Sequence, residues 1–140
     1  MNLAKRISNN HVLANCIGLV YLWFGVLKYF PEFSPAEDLA TNTIDLLTFS
    51  LIPSQVSIVL LAVSETLIGV LLIMNIYRRQ VVILALIHMF FTFTPIFLFP
   101  DQVFTCLPFC FTLLGQYIIK NIVIVGALIT LYKSEAKGQI

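Results

Sequence analysis

Long apolar runs alternate with short polar breaks along this chain, and the runs are of similar length. Four of them cover residues 12–30, 55–77, 81–99 and 109–132. Each is close to the roughly 20 apolar residues that a helix needs to cross a bilayer. The breaks contain turn-forming or charged residues, namely Pro31, Pro53, Arg78, Arg79, Pro100 and Pro108. Because strands would leave backbone groups unpaired in lipid, the pattern predicts an all-α polytopic membrane four-helix bundle, with residues 1–140 forming one membrane domain.

A different pattern fills the connection between the first two runs. Ser34, Pro35 and Glu37 follow the order of an N-cap, a proline at the first helical position and a capping-box glutamate. Apolar side chains then recur at helical spacing, at Ala36, Ala40, Ile44, Leu47 and Leu51. The spacing predicts an additional amphipathic helix over residues 34–51 that lies on the outer face of the bundle. It is either a structural lid or a gate over a site beneath it.

The composition narrows the class of protein further. Of the 140 residues, 59% are hydrophobic and 11% are charged, and the mean hydropathy is +0.96. A soluble domain typically carries about 25% charged residues, so this chain cannot cover a water-facing surface. The sequence also lacks a basic cluster. These features exclude an ordinary soluble enzyme, a disordered linker and a nucleic-acid binder, and they make the lipid membrane the first partner.

The basic residues predict the orientation in the membrane. They precede the first run, separate the second from the third and follow the fourth, at Lys5, Arg6, Arg78, Arg79, Lys133 and Lys137. The other two connections contain acidic residues and neither lysine nor arginine. The positive-inside rule therefore predicts a multi-pass protein of the inner (cytoplasmic) membrane with both termini in the cytoplasm.

Two charged residues lie deep within the apolar runs, where polar groups are costly and often functional. Glu65 in the second run and Lys120 in the fourth are each twelve residues from the inner end of their run. Their matching depths and opposite charges predict direct contact, or contact through one water or ligand headgroup. The pair is interpreted either as a structural device that fixes helix register or as a ligand or proton site.

Other polar residues extend this candidate site. His88, Thr92, Gln116 and Asn121 lie near the same depth in the third and fourth runs. For His88 alone, a hydrogen-bonded core residue is the simpler interpretation, and no metal site is predicted because no second histidine lies near it. Lys28 is near the outer end of the first run, where we expect it to reach water or to meet Glu32.

Cys106 and Cys110 occupy the outer connection between the third and fourth runs. Bridging is permitted in an oxidising compartment, but Pro108 disturbs the helical geometry that would bring the two together. The spacing differs from the C-x-x-C of redox-active membrane bundles. The favoured interpretation is two independent apolar residues that are dispensable, with a structural disulfide and a catalytic dithiol as alternatives.

Several motifs together carry a resemblance to a known family. They are WFGVLKYFP from Trp23, SPAEDLA from Ser34, ETLIG from Glu65, FTPIFLFP from Phe93 and GQYIIKN from Gly115. In order and spacing the chain resembles the DoxX-like family of small four-helix membrane proteins, from about residue 6 to residue 132. Lys28, Glu65, Lys120 and Asn121 match the family pattern position by position.

What the resemblance implies is a redox-linked membrane subunit that binds a quinone or similar apolar carrier at the central polar site. The implied cofactor is quinone. The chain contains no haem, flavin, nicotinamide or cluster motif, so any electron donor would be another protein, and the implied partner is a redox protein subunit, or a second copy in a homo-oligomer. Some relatives act as assembly factors. The alternative is therefore a non-catalytic scaffold or assembly partner whose Glu65–Lys120 pair is structural. A small transporter comes third, and whether the chain is an enzyme stays open.

Overall fold

The computed structural model describes residues 3–30, 34, 36–106 and 108–137. Its helices are α1 (Leu3–Leu27), α2 (Glu37–Leu47), α3 (Ser54–Ile73), α4 (Arg78–Thr92), α5 (Pro95–Leu98), α6 (Pro100–Val103), α7 (Leu113–Ile119) and α8 (Asn121–Lys137), and its strands are β1 (Phe104–Cys106) and β2 (Cys110–Phe111). Four segments are long and apolar enough to cross a membrane, namely Asn10–Leu27, Ser54–Ile73, Arg78–Leu98 and Leu113–Glu135. At this level the predicted all-α membrane bundle is confirmed.

The third and fourth of these segments are interrupted, whereas the sequence predicted continuous runs. α4 ends at Thr92 and α5 begins at Pro95, because proline has no amide hydrogen to continue the ladder and its ring crowds the preceding turn. α7 and α8 meet at Lys120, whose amide donates to the Gln116 carbonyl over 3.1 Å. This second interruption places Lys120, a predicted site residue, at a junction between two helices.

The connection between the third and fourth segments contains a short antiparallel hairpin. Cys106 and Cys110 lie on its two strands with their α carbons 4.9 Å apart, and a disulfide joins them. The interpretation of these cysteines as independent residues is therefore wrong, because a hairpin brings them together where a helix was assumed. Beside the bridge the Phe104 and Phe111 rings pack with their centroids 4.9 Å apart. That the cysteines are dispensable stays a prediction.

α2 is shorter than the predicted helix over 34–51. It begins after Ala36, which has no side-chain oxygen, so the predicted capping box does not form; the Ser34 carbonyl instead accepts a turn hydrogen bond from the Glu37 amide. Past its end, Phe49 and Ser50 have positive φ values of 54° and 58° and turn the chain toward α3. α2 packs against α3 and α5 and buries Leu39 and Thr43.

The closest helix contact in the bundle joins α1 to α3. A β carbon added to Gly69 would lie 2.6 Å from the Leu22 backbone nitrogen, and one added to Gly18 would lie 2.9 Å from the Gly69 carbonyl oxygen. Backbones approach this closely only where side chains are absent, which is a common way for membrane helices to pack. The contact holds the C-terminal half of α1 against the C-terminal half of α3.

Two buried clusters form the interior of the described chain. The larger joins α1, α3, α4 and α8 through Ala14, Ile17, Tyr21, Ile68, Leu72, Val81, Val82, Ala85, Met89, Leu128 and Leu131. The smaller lies beneath α2 and contains Leu39, Val103 and Ile118. By contrast, large apolar side chains such as Trp23, Phe90 and Val123 are exposed on the outside of the bundle. An apolar exterior around a packed core is the arrangement expected of helices in contact with lipid.

Candidate central polar site

The carboxylate of Glu65 joins three helices in the interior of the bundle. Its Oε2 atom lies 2.6 Å from the Nζ atom of Lys28, the first residue after α1, and its Oε1 atom lies 3.3 Å from Nε2 of His88 on α4. The Lys28 and Glu65 side chains are each 9% exposed. Together with Tyr21, described below, these residues are called the central cluster. A buried carboxylate with both oxygens contacted meets the requirement that internal charges be paired.

The predicted direct contact between Glu65 and Lys120 is wrong. Both oxygens of Glu65 are taken by other groups, and the partner is Lys28. The Lys28 ammonium points back along α1 and donates to the Phe24 carbonyl oxygen over 3.4 Å, so it acts about one turn deeper than its α carbon. Glu32, the predicted partner of Lys28, is outside the described residues. Contact between Glu65 and Lys120 through a water or ligand headgroup stays a prediction.

His88 completes a chain of polar contacts. Its Nδ1 atom lies 3.3 Å from the hydroxyl oxygen of Tyr21, which in turn donates to the Ala85 carbonyl oxygen over 3.1 Å. The two rings meet edge to face, with their centroids 5.4 Å apart. His88 is thus a hydrogen-bonded interior residue, as its position in a span suggests, and it also contacts the acid at the centre of the site.

This geometry lets His88 exist with one proton or with two. An ionised Glu65 only accepts hydrogen bonds, so the facing Nε2 atom carries a hydrogen. If the Tyr21 hydroxyl donates to Nδ1, the imidazole is neutral. If the hydroxyl donates to the Ala85 carbonyl instead, Nδ1 is able to carry a second proton, and both states use contacts already present. In both patterns the imidazole lies between the Glu65 carboxylate and the Tyr21 hydroxyl.

Lys120 lies apart from this chain of contacts. Its ammonium is 4.0 Å from the centroid of the Tyr117 ring and 5.4 Å from that of Phe24. Within the described part of the molecule, the ion pairs of acidic side chains involve Lys28, His88 and Arg78, and not Lys120. Lys120 is accordingly held by the faces of two aromatic rings, which attract cations through their quadrupoles.

Two cavities border the central cluster and share part of their walls. The first, of about 400 Å³, lies beneath α2. The second, of about 510 Å³, extends toward α7 and α8. Both are lined by Lys28, Ala36, Glu65, His88, Thr92 and Ile118. The remaining lining is largely apolar, so a few polar groups are concentrated on a wall common to both cavities.

The structure brings most of the predicted site residues together. Lys28, Glu65, His88 and Thr92 line both cavities, and Lys120 and Asn121 line the second. Gln116 lines neither cavity and is exposed.

Sequence reasoning missed several residues of the site, chiefly Tyr21, Phe24 and Tyr117. Tyr21 could have been found, because it lies seven residues before Lys28, which is two helical turns on the same face. The two rings next to Lys120 also had a same-face helical spacing to predicted site residues, since Phe24 lies four residues before Lys28 and Tyr117 lies three residues before Lys120. Across the described ranges, no three His, Cys, Asp or Glu side chains form a group that could hold a metal ion.

A second polar cluster lies at the opposite end of the helices and is called the terminal cluster. The Nη1 atom of Arg78 donates to Glu135 over 2.9 Å, and its Nη2 atom lies 2.8 Å from Nδ1 of His11. Asn10 donates to the Ser134 hydroxyl beside them over 2.5 Å. Arg78 was used in the sequence only to predict orientation, and its buried position was not anticipated.

No family model matches this chain, and neither the curated proteins nor the solved structures give a match. The resemblance to the DoxX-like family therefore stays a hypothesis that depends on the motifs quoted above.

Proposed function

We propose that this chain is an integral membrane protein that binds an apolar carrier with a polar headgroup, such as a quinone, in the cavities beside the central cluster. The observation that supports the proposal is the shared wall, where Lys28, Glu65 and His88 are presented to two largely apolar cavities. Binding sites for small molecules are typically apolar with a few placed polar groups. As a DoxX-like protein, the chain would serve as the membrane subunit of a redox-linked assembly.

The residues present fit a quinone headgroup. Its carbonyl oxygens need donors, which Lys28 and Lys120 supply, and its flat ring is suited to the aromatic wall that Phe24 and Tyr117 form in the second cavity. A bound quinone would supply two-electron redox chemistry. The residues of this chain would bind and orient the headgroup, while the electrons come from a partner protein.

We further propose that both termini lie in the cytoplasm and that the helices span the inner membrane. In support, Arg78 at the start of α4 contacts both His11 and Glu135, so this connection and the two terminal helix ends lie at the same end of the bundle. The basic residues of the sequence are concentrated at that end. α2 and the hairpin then belong to the outer side, with α2 covering the first cavity.

A scaffold or assembly role is the second candidate, and one observation favours it. Both oxygens of Glu65 are already paired within the chain, by Lys28 and His88. A fully paired buried acid can specify how helices assemble without binding anything. The two candidates differ in what the purified protein carries.

The experiment is gentle extraction of the protein, followed by organic extraction and mass spectrometry of its bound lipids. The carrier proposal expects a stoichiometric quinone or related compound. Thr92→Phe, which fills the wall of both cavities, should remove it, whereas Thr130→Phe at an exposed position of α8 should not. A folded wild-type protein without stoichiometric carrier, but with a co-purifying protein, would contradict the proposal and support the scaffold.

A further inference from the structure

The charges around the second cavity do not balance. Lys28 and Glu65 neutralise each other across 2.6 Å. Lys120 adds another ammonium to the same cavity, and Glu65 is the one acid among the described residues that line either cavity. Lys120 is exposed, and its ammonium lies over the Tyr117 and Phe24 rings, which attract a cation but carry no charge to neutralise it.

Lys120 lies at a position where an uncompensated positive charge is costly. It lies at the junction of α7 and α8, inside the segment Leu113–Glu135 that is long and apolar enough to cross a membrane. A cation at such a depth is costly unless an anion or water compensates it. The side chain is held over rings that line the cavity, so the cavity is where a compensating group would lie.

The geometry points to an amphiphile with an anionic headgroup as the ligand of the second cavity. This inference rests on the carrier function proposed above and specifies the charge of the carrier. The headgroup would lie against the Lys120 ammonium and the Asn121 amide, in the cavity that Phe24 and Tyr117 also line. Charge-assisted contacts of this kind are stronger than neutral ones, so the site should prefer an anion to a neutral analogue of the same shape.

The opening of the cavity suits an apolar tail. Val20 on α1 and Val123 on α8 line it and are 38% and 75% exposed, so the cavity reaches the apolar outside of the bundle between these helices. A tail leaving there would meet lipid and not water. A ligand with a charged head and an apolar tail therefore fits both ends of the cavity.

A matched pair of probes tests the inference on the wild-type protein in a non-ionic detergent. One is a 3-alkyl-2-hydroxy-1,4-naphthoquinone, an anion at neutral pH, and the other is its neutral 2-methoxy ether. Binding is measured by equilibrium dialysis and by quenching of Trp23, the one tryptophan of the chain, which precedes Phe24. We expect the anion to bind at least about tenfold more tightly than the ether.

Variants test whether Lys120 is the source of the preference for the anionic probe. Lys120→Met should reduce it to about equal binding, Lys120→Arg should keep it, and Lys133→Met is the matched control because Lys133 is exposed near the far end of α8. If Lys120→Met does not fold, the inference is still tested by comparing the two probes on the wild type and on Lys120→Arg, both of which should prefer the anion. Loss of the preference in Lys133→Met, with Lys120→Met unchanged, would overturn the assignment to this cavity.

The outcomes separate this inference from the function on which it rests. Equal binding of both naphthoquinones overturns the anionic headgroup and leaves the carrier proposal standing. Binding of neither probe, with no carrier in the purified protein, overturns both. A long-chain fatty acid, compared with its methyl ester, identifies the source. Displacement of the hydroxynaphthoquinone by the acid alone indicates a lipid-derived anion, and failure of both to displace it indicates a ring-bearing anion.

Discussion

The central and terminal clusters are built from the same kinds of residue and differ in which one lies at the centre. The central cluster places the acid Glu65 between Lys28 and His88. The terminal cluster places the base Arg78 between Glu135 and His11. Each cluster joins three helices, and both include α1 and α4.

Because of this difference, the histidines of the two clusters face groups of opposite charge. In the central cluster a ring nitrogen of His88 meets a carboxylate, so an added proton on the imidazole is attracted to its neighbour. In the terminal cluster Nδ1 of His11 meets the Arg78 guanidinium, which only donates, so His11 must accept there. His11 therefore meets a cation directly, whereas His88 meets the Lys28 ammonium only across the carboxylate that they share.

The surroundings of the two clusters differ as well. The Glu65 side chain is 9% exposed and borders both cavities, whereas Glu135 is 28% exposed and lines neither of them. Charged groups beside a cavity can meet a ligand, and charged groups at the end of a bundle tie helices together. The proposed ligand site therefore belongs to the central cluster, whereas the terminal cluster ties helix ends together.

Breaking the central cluster should have the largest effect. Glu65→Gln leaves the Lys28 ammonium without its counter-charge at a buried site, and we expect a loss of about 3–5 kcal/mol in the free energy of unfolding. Combining it with Lys28→Met should restore much of the loss, because neither charge then remains. The measurement is reversible unfolding in mixed micelles.

The control for this prediction uses the partner expected from the sequence. Combining Glu65→Gln with Lys120→Met should not restore stability, because Lys120 does not contact Glu65. If Lys120→Met restored the stability of Glu65→Gln and Lys28→Met did not, Glu65 would pair with Lys120, as predicted from the sequence. The Glu65–Lys28 contact of the central cluster would then be wrong.

The contact between α1 and α3 should come next, since it sets Lys28 beside Glu65. Gly69→Ala adds a β carbon 2.6 Å from the Leu22 backbone nitrogen, so the helices must separate. We expect a loss of about 1–3 kcal/mol, as for overpacked interiors, and weaker carrier binding. Gly126→Ala is the matched control, because an added β carbon there meets no atom within 4 Å. Equal effects of both variants, by the same unfolding assay, would argue against a close α1–α3 contact.

The sequence was sufficient for the membrane class and the number of long helices, because apolar length and scarce charge determine both. It also selected Glu65, Lys28 and His88, since charged or titratable side chains inside apolar runs are few. It could not determine their partners. Depth along a helix was estimated from α carbons, whereas the lysine side chain reaches back about one turn, and adjacency of helices depends on packing at glycines such as Gly69.

The features that were missed depend on local geometry without a periodic pattern. The hairpin over Phe104–Cys106 and Cys110–Phe111 is too short to produce strand alternation. Arg78 follows a residue, Tyr77, with a positive φ of 47°, and this turn directs α4 back into the bundle. Its charge was therefore interpreted from its place between two runs, whereas its side chain is buried against α1 and α8.

Breaking the terminal cluster should have the smallest of the three effects and should leave the cavities unchanged. Arg78→Gln removes the hydrogen bonds to Glu135 and His11, yet water reaches Glu135 and compensates part of the loss. We expect about 1–2 kcal/mol in the free energy of unfolding, within the range for hydrogen bonds to charged groups. Arg79→Gln is the control, and its effect should be smaller because Arg79 is only partly buried, whereas Arg78 is buried. Carrier binding should stay within about twofold of wild type in both variants, since neither arginine lines a cavity beside Glu65. Loss of carrier from stable, folded Arg78→Gln would mean that the two clusters act together, and the separation of a ligand site from a cluster that ties helix ends together would fail.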